Sequence, residues 1–90
     1  MYLHLGQNTI VPYNSIIGIF DLDNATISRH TRYFLAQREK NREVFNVSYE
    51  LPKSFIVCKG KKDKKQKIYI SQISSSTLLK RLGFIDNLSE

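Results

Sequence analysis

Two apolar runs, "SFIVC" (Ser54–Cys58) and "KIYISQI" (Lys67–Ile73), stand on either side of a stretch that water must claim. That stretch, "KGKKDKKQK", runs from Lys59 to Lys67 and holds six lysines and one aspartate. The flanking runs are rich in β-branched and aromatic residues, the composition of strands. Ile68 and Ile70 share one side of the second run at a period of two. Gly60 and Asp63 are turn formers. The arrangement dictates an antiparallel hairpin with a lysine tip. It also localises the charge. The formal net charge is +6, and this one segment accounts for five of those six charges.

The other elements arrange themselves around that hairpin. "MYLHLG" alternates and predicts a strand over Tyr2–Leu5, and "NTIVP" a second one closed by Pro12. "SIIGIF", Ser15–Phe20, is almost continuously apolar, which predicts a strand buried on both faces. Gly18 then marks a close approach by another backbone or a large side chain. From Ala25 to about Arg42, Ile27, Thr31, Phe34 and Leu35 recur at helical spacing, with Asn24 or Thr26 as the cap. "VFNVSY" reads as a strand or an extended loop. "SSSTLLKRLGF" predicts a short last helix capped by Ser75 or Ser76, with Leu78, Leu79 and Leu82 on its apolar side and Gly83 past its end. The fold class is α/β of the α+β type: a small, mostly antiparallel sheet, one central helix, the lysine-tipped hairpin and a short C-terminal helix. A single domain covers 1–90, with 85–90 as a tail.

Ninety residues leave much of the apolar surface hard to bury, so a second copy would help. The lone cysteine, Cys58, fits a reducing compartment. The start of the chain lacks the marks of a signal peptide, and no window reaches the ~20 apolar residues of a membrane span. The expectation is a cytoplasmic, nucleoid-associated protein with no membrane partner. His4 and His30 are far apart and have no cysteine or carboxylate companions at metal-ligand spacing. Nucleophile and phosphate-loop motifs are missing as well. No catalytic residue, cofactor or small-molecule substrate is expected.

Several words of the sequence occur together in a known group. "MYLHLG" at the start, "IIGIFDLD" at Ile16–Asp23, "LPKS" at Leu51–Ser54 and "YISQISSSTLLKR" at Tyr69–Arg81 resemble the RemA/RemB family of small bacterial extracellular-matrix regulators. The resemblance covers Met1 to about Phe84. It implies a LytTR-like subunit, a ring-like homo-oligomer, and binding of double-stranded DNA to control biofilm-matrix genes. The family's RemA branch carries an arginine pair just before the strand that matches Ser54–Val57. Here the stretch is "SYELPKS", whose one basic residue is Lys53.

The candidate DNA-binding residues follow from charge. Lys59, Lys61, Lys62, Lys64, Lys65 and Lys67 would grip phosphate, because an ammonium is a point charge without the fork that reads guanine. Lys53 stands nearest the family's arginine position. Arg29 and Arg32 lie three apart on the helix, suited to a phosphate or a neighbouring subunit. Arg38, Lys40 and Arg42 read as dipole complements at the helix end, and Lys80 and Arg81 likewise. Cys58 is either a thiol activated by Lys59 or a small core residue, and its mid-strand place favours the core. A different class stays open: a ring-forming structural or protein-interaction module without DNA binding.

Overall fold

The structure is a computed structural model that describes residues 1–22, 29–60 and 65–89; for 29–31 and 84–89 it describes the backbone. Strands β1 (Tyr2–Gly6) and β2 (Thr9–Pro12) form a two-stranded antiparallel ribbon. Strands β3 (Ile16–Asp21), β4 (Val44–Asn46), β5 (Ser54–Lys59) and β6 (Gln66–Ser71) form a second sheet in the order β3-β5-β6-β4. Helix α1 (Arg29–Lys40) precedes β4, and helix α2 (Ser75–Ser89) follows β6. The expected α+β class holds, with two refinements. The strands divide into two sheets, and the ambiguous "VFN" is a strand that pairs with β6 in parallel.

Alternation along the central strands gives each face of the large sheet its own core. Ile56 and Cys58 point to one side, where Leu3, Leu5 and Val11 of the ribbon and Leu78 of α2 meet them. Phe55, Val57 and Ile68 point to the other, where Phe34 and Leu35 of α1 cover them. The helical spacing of Phe34 and Leu35 thus finds its target, while Ile27 and the caps Asn24 and Thr26 lie outside the described residues.

Buried serines join the layers. Ser71 Oγ donates to the Leu5 carbonyl at 2.6 Å and accepts the Ile73 N–H at 3.0 Å. Ser54 Oγ donates to the Ile73 carbonyl at 2.7 Å. The ribbon turns through Gly6 (φ 122°) and Gln7 (φ 48°), and His4 Nε2 donates to the Gln7 carbonyl at 2.7 Å. His4 is a turn clasp.

Three expectations change. The apolar run Ile16–Phe20 is not buried on both faces: β3 is an edge strand paired with β5 alone, and Ile17 is 57% exposed. Among the described residues, no strand pairs with the other edge of β3. A bulge between Ile16 and Gly18 shifts the alternation. Gly18 does meet a large side chain, since a Cβ there would stand 2.7 Å from the Phe20 ring, which stacks on Phe55. Second, Ser74 caps α2, accepting the Thr77 N–H at 3.3 Å. Third, Gly83 lies inside α2, which runs to Ser89, so Lys80 and Arg81 are mid-helix. Arg81 Nη1 donates to the His4 carbonyl at 3.0 Å and ties helix to ribbon.

Candidate nucleic-acid interface

The hairpin forms as expected, and its strands reach into the lysine segment. Lys59 pairs with Gln66 and Lys67 with Cys58, so the connection proper is 60–65. Lys61, Lys62 and Lys64 lie outside the described residues. Lys59, Lys65 and Lys67 are exposed. Alternation puts Lys59 on the α1 side of the sheet, with Phe55 and Val57, and Lys67 on the ribbon side, with Cys58 and Tyr69. Positive charge therefore flanks the sheet end on both faces.

Lys53 is at the other end. It immediately precedes β5, and six residues of extended chain put it about 20 Å from Lys59. Its backbone is fixed between neighbours: its N–H donates to the Ser71 carbonyl at 2.9 Å and its carbonyl accepts the Leu22 N–H at 2.8 Å. Its side chain is exposed. Among the described residues, Lys53 and the hairpin lysines Lys59, Lys65 and Lys67 do not form one cluster.

Topology locates the cations at the end of the helix. The chain leaves β3 at Asp21, opposite Ser54, and enters β4 at Val44, opposite Ile68. Helix α1 leads directly into β4, so it finishes on the side of Val44, whose partner is Ile68. Arg29 stands at the start of the described helix and Arg32 is exposed in its first turn. Lys40 and Arg42 are exposed near the hairpin end, close to where the Ile68 N–H donates to the Glu43 carbonyl at 2.7 Å. Charge counting along the helix alone sets these two aside as dipole complements. Only the parallel β4–β6 pairing reveals their neighbourhood. Arg38 is committed locally: it pairs with Glu43 at 3.2 Å and lies over the Phe34 ring at 5.2 Å.

Cys58 belongs to the core at 4% exposure. Burial pushes its thiol pKa up, while a hydrogen bond with Ser15 and the charge of Lys67 pull the other way more weakly. The thiol is the less reactive form at neutral pH, and activation by a neighbouring lysine does not prevail. Burial also raises the Tyr69 phenol, with a smaller push from Cys58. Tyr69 stacks on the exposed ring of Phe45 at 5.5 Å.

Comparison with known proteins adds a second line of information. The family model described as RemA-like, Extracellular matrix regulatory protein A-like, matches residues 2–82. The chain is 40% identical over 85 residues to Extracellular matrix regulatory protein B of Bacillus subtilis (strain 168), an alignment covering 94% of each chain. Both matches span the hairpin, Lys53 and the first two turns of α2. No helix among the described residues is long and apolar enough to cross a membrane.

Proposed function

The chain belongs to the RemA-like family of extracellular matrix regulatory proteins, and from that premise we propose that it is a non-enzymatic, DNA-binding regulator of matrix genes that works as a ring-like homo-oligomer. The observation that carries the DNA reading is the concentration of five of the six net positive charges in Lys59–Lys67, at a sheet end where Lys59, Lys65 and Lys67 are exposed. A charge cluster of one sign reports on a partner of opposite sign. Each lysine that meets a phosphate releases counterions, and several subunits on one duplex multiply weak contacts. Sequence preference then comes from few base contacts and from DNA shape. Lys53, nearest the arginines of the RemA branch, is a second candidate contact at the far end of β5, and Arg29 and Arg32 are candidates on α1.

The assembly reading is supported by the edge of β3, which no strand among the described residues covers. A groove of about 390 Å³ opens beside it, lined mainly by Ile16, Ile17, Ile19, Leu79 and Leu82. Ile17 and Leu79 are 57% and 52% exposed. A globular chain seldom leaves an apolar strand edge uncovered.

The test is a mobility shift on duplex DNA at two salt concentrations, with mass measured on the same sample. A multiple of 10.5 kDa and binding that weakens steeply with salt are expected. An assembly that ignores DNA at low salt would leave the other class standing, a ring-forming module that recognises protein.

A further inference from the structure

A cleft of about 200 Å³ lies at the base of the lysine hairpin, on the ribbon side of the sheet. Ser15, Cys58, Lys65, Lys67 and Tyr69 line it, with Val11 and Pro12 of β2 closing one wall. The position follows from the fold. The ribbon covers one face of β5 only as far as Pro12, and the turn Tyr13–Ser15 then carries the chain into β3. The gap between that turn and the ends of β5 and β6 is the cleft.

Its chemistry is lopsided. Two ammonium groups, a phenol, a thiol and an aliphatic hydroxyl line it, and no carboxylate does among the described residues. Lys67 is near enough for its charge to act on Cys58. Ser15 Oγ is held by the Pro12 carbonyl at 2.7 Å, which fixes one wall. The volume is below the roughly 300–1,000 Å³ of sites that enclose a whole organic ligand. It suits an anionic head group, with any remainder outside against the exposed Phe45 ring, which stacks on Tyr69. Two lysines and a phenol lining one cleft suit a multiply charged tetrahedral oxyanion better than a carboxylate, because more than one oxygen needs a partner.

We infer that this cleft is a phosphoryl-binding site in which Lys65 and Lys67 supply the charge and Tyr69 a hydroxyl donor. The phosphoryl group belongs either to a free phosphate or phosphomonoester or to the backbone of a duplex gripped by the hairpin. The site stands on its own lining, so it does not depend on the DNA reading.

The experiment follows backbone amide shifts in the full-length 15N-labelled chain, at ionic strength held constant with chloride. One arm titrates inorganic phosphate and the other a short duplex. Saturable shifts at Ser15, Cys58 and Lys67 with phosphate identify a free anion as ligand. The same shifts with duplex alone identify backbone phosphate as the source. In either case Lys67→Gln should weaken the effect about tenfold, as loss of a charge-assisted hydrogen bond does, while Lys80→Gln, at an exposed lysine of α2 away from the cleft, leaves it unchanged. Phosphate binding in a chain that ignores duplex would uphold the cleft and defeat the DNA reading. Linear, unsaturated shifts, or shifts that persist in Lys67→Gln, would overturn the inference, since phosphate also acts on proteins through general exclusion. Silence of the cleft in both arms would overturn it too.

Discussion

Replacing Ser71 by alanine removes one hydroxyl that serves two partners. Its Oγ donates to the Leu5 carbonyl at 2.6 Å and accepts the Ile73 N–H at 3.0 Å. Ser71 and Leu5 are both 0% exposed, so water cannot replace the missing donor at Leu5. A buried polar group left without its partner costs about 1–3 kcal/mol. Two such groups, one of them on the half-buried Ile73, bring the expected loss to about 2–4 kcal/mol. In a domain of this size each kcal/mol moves Tm by about 4–8 °C, so a fall of at least about 8 °C is expected. Ser54→Ala strands only the Ile73 carbonyl and should cost about 1–3 kcal/mol. Both serines act on Ile73, so the double variant should depart from the sum of the single losses. Urea unfolding followed by far-ultraviolet circular dichroism measures this. Protein concentration must be held fixed, because association shifts apparent stability. A Ser71→Ala cost under about 0.5 kcal/mol, the range of surface changes, would refute the view that this hydroxyl docks the ribbon onto the sheet.

Further outcomes are expected. Lys61, Lys62, Lys64 and Lys65 changed together to Gln should weaken binding to all duplexes and flatten the salt slope by about 0.9 for each phosphate no longer neutralised; an unchanged slope in mobility shifts would make the lysines a solvated tip only. Lys53→Ala should reduce discrimination between target and random DNA more than that loop variant does, which competition against random duplex measures. Ile17→Asp should keep the fold and lower the mass seen by light scattering, whereas Ile19→Asp, facing the core beside Ile56, should unfold the chain; equal behaviour would remove β3 from the interface. Cys58→Ser should leave DNA binding intact and cost about 1–3 kcal/mol. The raised thiol pKa means that the folded state holds its proton longer than the unfolded state. Its contribution to stability is full below the unfolded value of about 8.5 and is lost as pH rises through the folded one. Urea midpoints should accordingly fall less above that pH in Cys58→Ala than in the parent chain.

Local chemistry determined much of this molecule by itself. The alternation in "SFIVC" and "KIYISQI" and the insolubility of six lysines in any core fix the hairpin wherever it sits. Phe34 and Leu35, set by the helical period, could cover only an apolar sheet face. Gly18 announced a close approach because a strand glycine suits a place where a side chain has no room, and the structure shows that the Phe20 ring makes it. Short-range pattern could not decide what lies beside what. "SIIGIF" has the same apolar composition whether a strand is central or at an edge, and only the sheet order left Ile17 exposed. Gly83 has the marks of a helix stop, yet glycine's freedom permits an end without compelling one, and α2 continues past it. The separation of Lys53 from the hairpin, the approach of Lys40 and Arg42 to it, and the cleft between Ser15, Cys58 and Lys67 all arise from strand pairings between residues distant in sequence. Composition assigns the positive charge to this chain, but pairing energies and layer packing decide which charges face the same partner.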